Sequence, residues 1–146
     1  MKKRLSVLAL LYPLVVSATT WYVATNGSDF GNGSLSNPFL TIGKAVSTVQ
    51  AGEIIYVRGG VYNLTSTIVL NESGIENSTI SLFAYLGERP VLDFSAQALD
   101  VANRGIALSG SYWYIKGFDI TGAGGNGGTL NAYSQFFQLR TRNLSA

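Results

Sequence analysis

The 146-residue chain contains no cysteine and no histidine. Without cysteine there is no disulfide framework, so packing and backbone pairing must hold the fold. Without histidine, Ser-His-Asp and Cys-His catalysis are excluded, and so are the common zinc sites. Charge is scarce too, at 12% of residues. Any chemistry must come from eight carboxylates, a few Lys and Arg, tyrosine, or a bound hard cation. The apolar stretch from Leu5 to Val16 is too short to cross a bilayer comfortably.

That stretch reads instead as part of a secretory signal peptide. Met1-Lys2-Lys3-Arg4 is a basic start, and Val16-Ser17-Ala18 supplies the small residues a signal peptidase needs. Cleavage is placed after Ala18, which makes residues 1–18 the signal peptide and the protein secreted, with no membrane segment in its mature form. A buried N-terminal strand or an anchor is the rival reading. Lys2, Lys3 and Arg4 supply three of the ten positive charges, so the mature balance is 7 − 8 = −1. The basic excess of the full chain is therefore no evidence for a nucleic-acid partner. About 128 residues remain, enough for one ordinary domain.

What is present is glycine, β-branched residues and tyrosine, the composition of a β-rich extracellular protein with glycine turns. Trp21 to Thr25 reads as a strand, and N-G-S-D-F-G-N-G-S-L-S-N follows as a loop. A helix is expected from Pro38 or Thr41 to Gln50, because Ile42, Ala45, Val46 and Val49 make one apolar face. Gly52 suits the position just past its end. Short β runs follow at Glu53–Val57, Ser66–Leu70, Thr79–Tyr85, Pro90–Phe94, Gly105–Leu108, Tyr112–Ile115 and Phe118–Thr121. Gly59-Gly60, Asn71-Glu72-Ser73-Gly74, Gly87, Gly110 and Gly117 punctuate them. Runs such as I-I-Y-V and Y-W-Y-I are almost continuously apolar, which favours strands stacked in a parallel array. Ile55 and Ile80 are 25 residues apart, and Ile80 and Ile106 are 26 apart. Such a period suits a β-solenoid, although an antiparallel sandwich also recurs at short intervals, and spacing alone leaves both open.

Four stretches carry a family resemblance: W-Y-V-A-T-N-G-S-D, G-S-L-S-N-P-F-L-T-I-G-K-A-V, A-G-E-I-I-Y-V-R-G-G-V-Y and S-G-S-Y-W-Y-I-K-G-F-D-I-T-G-A. Together they resemble the N-terminal region of secreted right-handed parallel β-helix proteins, most closely the pectate lyases of polysaccharide lyase family 9. The match runs from about Trp21 to Gly125 and is more specific for the fold than for the reaction. It implies an all-β, right-handed parallel β-helix whose N-terminal amphipathic helix caps the solenoid. Residues 19–52 would then hold the first strand, the Gly/Asn-rich loop and the capping helix, and 53–128 the rungs. An open coil would expose apolar core and unpaired strand edges, so a cap is physically required.

The loop itself is better explained by structure than by chemistry. Asn-Gly and Gly-Asn-Gly allow positive φ, and Asp29 and Asn32 can bond their own backbone in turns. A calcium loop built on Asn26, Ser28, Asp29 and Asn32 would hold a single carboxylate, and D-F-G-N-G departs from the EF-hand order. The later G-A-G-G-N-G-G-T-L is one copy of a glycine-rich repeat with Thr129 where the aspartate should stand. Neither glycine run is followed by the G-K-[ST] of a phosphate-binding loop.

The resemblance also implies a reaction. In such lyases a lysine removes the proton α to a uronate carboxylate, while calcium held by aspartates neutralises that carboxylate. The mature chain offers Lys44, on the expected helix, and Lys116, read as a surface turn lysine. Asp93, Asp100 and Asp119 are scattered, so no catalytic base or calcium ligand can be assigned. Tyr112, Trp113 and Tyr114 are the candidate sugar-stacking residues, with aromatic core packing as the alternative. Strand alternation would send Trp113 one way and the two tyrosines the other. Six N-x-[ST] sites mark surface loops in a glycosylating host.

Residues 129–146 lack the glycine-bounded pattern and read as the tail of a truncated or frame-shifted product, or else as a natural cap. The expectation is the N-terminal part of a secreted, monomeric polysaccharide lyase, acting on an acidic plant-type polysaccharide by calcium-assisted β-elimination and lacking its catalytic rungs. The alternative is a non-catalytic extracellular β-helix module that binds carbohydrate or serves a surface role. A glycoside hydrolase would need paired carboxylates, and none is visible.

Overall fold

The computed structural model describes residues 18–98 and 105–122, together with the backbone of 137–138. The expected signal segment up to Ser17 lies outside the described residues. Among those described, no helix is long and apolar enough to cross a membrane.

Ten short strands and one short helix make up the described chain. The first strand, β1, is Thr20–Val23, and helix α1 is Ile42–Val46. Then come β2 Ile54–Val57, β3 Gly60–Asn63, β4 Ile68–Leu70, β5 Ile80–Ala84 and β6 Pro90–Asp93. They are followed by β7 Ile106–Leu108, β8 Trp113–Lys116, β9 Asp119–Thr121 and β10 Phe137–Gln138.

All pairing between these strands is parallel, in three sheets ordered β1-β2-β5-β8-β10, β3-β6-β9 and β4-β7. From β2 onward consecutive strands therefore belong to different sheets, and each sheet is extended only when the chain returns one coil later. An antiparallel sandwich cannot give this pattern, so the solenoid reading holds.

The period differs from the expected one. Ile55 pairs with Leu82 rather than Ile80, and Ile80 pairs with Trp113. Ile106 belongs to the third sheet and pairs with Ile68. The 25-residue spacing thus missed the register of one buried row by two residues, and the 26-residue spacing joined positions in different sheets. True coil lengths vary with the turns: Ile54 to Ser81 is 81 − 54 = 27, Gly60 to Pro90 is 90 − 60 = 30, and Ile68 to Ile106 is 106 − 68 = 38. Gly60, read as punctuation, opens strand β3. Within the atypical stretch 129–146, Phe137 and Gln138 extend the first sheet by pairing with Ile115 and Lys116.

The core lies between the sheets. Val23, Ile55, Val57, Leu82 and Ile115 enter from the first sheet, Tyr62 and Leu92 from the second, and Ile68, Leu70 and Ile106 from the third. Burying each such side chain contributes about 1.5–3 kcal/mol. Helix α1 is shorter than expected, ending at Val46, although Val49 beyond it is also buried. Thr41 is its N-cap, accepting a hydrogen bond from Lys44 N at 3.1 Å. Ile42, Ala45 and Val46 are its buried residues, and it packs against β1, β2 and β4.

Candidate functional site

Parallel stacking in register turns a strand's alternation into rows that run along the coil axis. With Ile55, Leu82 and Ile115 pointing inward, Tyr22, Tyr56, Phe83 and Lys116 form one outward row on β1, β2, β5 and β8. The rings touch one another. Tyr22 and Tyr56 stack with centroids 5.9 Å apart, Tyr56 lies 6.2 Å from Phe83, and Phe83 meets Tyr114 edge to face at 5.0 Å. Tyr85 closes the group edge-on, 6.0 Å from Tyr22 and 5.7 Å from Tyr56. Each pair contributes about 0.5–1.5 kcal/mol beyond its area burial.

A charged clamp borders the rings. Arg58 follows β2, and its guanidinium lies 4.7 Å from the centre of the Tyr85 ring. It also forks onto Glu88, with Nε 3.0 Å from both carboxylate oxygens and Nη2 2.7 Å from Oε1. Gly59 N donates to the same carboxylate. The Arg58 hydrogen bonds, then that from Gly59, hold Glu88 below the usual glutamate range, while Glu88 raises Arg58. Tyr62 lies beneath, donating from its hydroxyl to Arg58 O at 2.8 Å. Burial, assisted by Glu88, pushes its phenol up to about 12.

The three aromatic candidates separate. Trp113 is 1% exposed and belongs to the core, and its indole N–H donates to Glu72 O at 2.6 Å. It cannot face a ligand, which corrects its assignment as a sugar-binding residue. Tyr114 is half-buried on the outer face beside Phe83, and Tyr112 is 47% exposed. Tyr112 also has φ of 56°, a left-handed conformation unusual for a bulky side chain. Lys116 is the last residue of β8 rather than a turn residue, and it is exposed on the same side as Tyr114.

The other candidates have structural partners. Asp29 Oδ1 accepts from Leu40 N and Thr41 N, both at 2.9 Å, and Oδ2 accepts from Thr41 Oγ1 at 2.7 Å. Its carboxylate thus reaches across the loop to fix the start of α1, not its own turn. Asn32 does behave as a turn residue, accepting from Ser34 N at 3.1 Å. Lys44 is exposed on α1, with Nζ 5.8 Å from the centre of the Phe39 ring. Asp93 accepts from Ser95, which lowers its carboxyl, and Asp119 pairs with Arg89 Nη2 at 2.8 Å. Asp100 lies outside the described residues, as does the 123–130 part of the later glycine run. Among the described residues no three acidic side chains gather as a metal site.

Sequence reasoning did not find Tyr22, Tyr56, Phe83, Tyr85 or Arg58. The signal was the aromatic residue standing between apolar ones in W-Y-V, I-Y-V and L-F-A, which becomes a row only once the register is known.

This architecture coincides with a sequence profile described as "Pel9A-like, right handed beta helix region", which matches residues 21–145. The chain belongs to this family. Pectate lyase L of Paenibacillus polymyxa is 44% identical over 103 residues, covering 66% of this chain and 23% of that protein. Pectate lyase PEL9 of Emericella nidulans is 34% identical over 131 residues, covering 82% of this chain and 32% of its own length. Among solved structures, pectate lyase Pel9A superposes with a TM-score of 0.61 at 33% identity, over 72% of this chain and 28% of that one. The chain therefore spans about a quarter to a third of these family members.

Proposed function

We propose that these coils are the N-terminal part of a secreted, pectate-lyase-like polysaccharide lyase that acts on polygalacturonate by calcium-assisted β-elimination. In this reading the base and the calcium ligands lie on coils other than those described. The observation that carries it is the family match across residues 21–145, on a chain spanning 23% of a pectate lyase 44% identical to it. The hydrogen-bonded or ion-paired state of Asp29, Glu88, Asp93 and Asp119 supports a structural role for the carboxylates present. Helix α1 closes the N-terminal end of the solenoid, a role supported by its packing against β1, the outermost strand of the first sheet.

Sequencing the gene downstream of the Gly128 codon tests this, with translation in all frames. Further glycine-bounded coils with clustered aspartates and a lysine are the expected result. The restored protein should release unsaturated uronides and stop when a chelator is added. A genuine stop codon with nothing coil-like beyond it sinks the lyase reading for this chain. The outward aromatic face favours a second reading, a carbohydrate-binding module without turnover.

A further inference from the structure

We infer that removal of the leader creates an ion pair, in which the new α-ammonium of Thr19 meets the Glu53 carboxylate and fastens β1 to β2. The inference rests on the secretory reading of residues 1–18 and not on the lyase reading. Hydrolysis adds water across the Ala18–Thr19 bond, leaving a carboxylate on Ala18 and an ammonium on Thr19. β1 and β2 pair in register from Thr20 and Ile54 onward, and Ile54 N donates to Thr19 O at 3.1 Å. Thr19 therefore lies beside Glu53, with its neighbouring strand about 4.8 Å away. Ala18 and Thr19 are exposed, so the cut leaves the ammonium at the surface, where little desolvation opposes the pair.

Glu53 carries the second observation, because it is a half-buried carboxylate that lacks a cation. Trp21 Nε1 and Gln50 N both donate to its Oε2, at 2.8 and 2.9 Å. Neither donor is charged. The ion pairs among the described residues are Arg58–Glu88 and Arg89–Asp119, and Glu53 belongs to neither. Lys44, on the adjoining helix, lies over the Phe39 ring instead, with Nζ 5.8 Å from its centre. Arg58 and Lys116 stand at the far ends of β2 and β8, whereas Glu53 precedes β2. A carboxylate already oriented by two hydrogen bonds needs little further ordering to meet a cation. β1 is the outermost strand of the first sheet, so a pair at its entrance holds the end where fraying would begin. Before the cut the Thr19 nitrogen is a neutral amide and cannot supply the charge. Processing thus tightens the first strand as well as releasing the chain.

Mass spectrometry of the exported protein's N-terminal peptide should find Thr19 as the first residue. Two chains released from N-terminal fusions, one beginning at Thr19 and one at Ser17, then isolate the charge. The Thr19 chain should melt about 2–4 °C higher, the shift expected of one partly exposed pair in a domain of this size. Raising the salt should shrink that gap. Glu53→Gln keeps an oxygen for the indole and for Gln50 N, so it should stay folded while abolishing the gap. A direct readout is the acylation rate of the terminal amine at neutral pH. It should be about threefold slower for Thr19 than for Ser17, and recover in Glu53→Gln, because a paired ammonium gives up its proton less readily. Equal melting temperatures, a gap that survives Glu53→Gln, or an exported protein that begins elsewhere would overturn the inference. The downstream coils decide the lyase reading separately, so either idea can fail without the other.

Discussion

Arg58 and Glu88 stand 30 residues apart in sequence and on consecutive coils, yet they meet through three hydrogen bonds of 2.7–3.0 Å. Because Arg58 also lies over Tyr85 and receives the Tyr62 hydroxyl on its carbonyl, this pair ties the first two sheets at their shared corner. Backbone pairing holds each sheet internally. The clamp acts where the chain turns between sheets and the ladder is interrupted.

The clamp makes stability depend on acid. Glu88's folded value is depressed below 4.5, so its contribution is fully present above that unfolded value and is lost as pH falls through the folded one. The side chains are 36% and 27% exposed, so the pair contributes only about 1 kcal/mol after screening. Glu88→Gln should lower stability by about that amount at pH 7 and flatten the pH profile below 4.5. Urea titrations of both proteins at pH 3 and pH 7 check it. A difference that stays constant across that range would refute the ionic account.

Tyr62 sets the alkaline limit. Its hydroxyl is favoured neutral, with the folded value pushed up to about 12 against 10.0 unfolded. Its contribution is therefore complete below pH 10.0 and lost progressively as pH rises toward 12. Tyr62→Phe should cost about 1 kcal/mol at neutral pH through the lost bond to Arg58 O. It should also remove part of the alkaline fall. Stability measured from pH 8 to 11 is the check, and parallel curves for the two proteins would count against it.

The strands were legible because β-branched and aromatic runs bounded by glycines need little context. Their register was not. Parallel coils of 27, 30 and 38 residues differ by the lengths of their turns, and no local pattern records which apolar residue in one run faces which in the next. Strand β3 was hidden for a related reason: it begins at Gly60, and only pairing with Pro90 makes it a strand. Alternation did separate Trp113 from Tyr114, whereas Tyr112 precedes β8 in a left-handed conformation that alternation does not describe. Which of Trp113 and Tyr114 faced inward depended on Ile115 and Leu82 lying in one buried row.

Asp29 distinguishes a structural loop from a calcium loop. Its carboxylate accepts three hydrogen bonds that fix Leu40 and Thr41 at the start of α1. Asp29→Ala should cost about 1–2 kcal/mol, the range for losing a helix cap, and Asp29→Asn somewhat less. The melting temperature of the unmodified chain should be the same in calcium and in chelator. A rise with calcium that disappears in Asp29→Asn would restore the metal reading.

Trp113 and Gly110 give the sharpest test of the corrected aromatic assignment. The Glu72 carbonyl accepts the Trp113 indole N–H, and a Cβ at Gly110 would overlap that carbonyl oxygen. Backbone, indole and glycine therefore share one crowded spot behind β8. Trp113→Ala should cost about 3–5 kcal/mol by leaving a core cavity, enough to unfold a domain of this size at moderate temperature. Gly110→Ala should also destabilise strongly, because the Glu72 peptide must move and the indole then loses its acceptor. Trp113→Phe keeps most of the apolar volume and should remain folded, with reduced stability and unchanged sugar binding. Thermal unfolding followed by circular dichroism separates these variants. If Trp113→Phe instead kept full stability and lost carbohydrate binding, the indole would have to reach the surface, and the inward placement of Trp113 would be wrong.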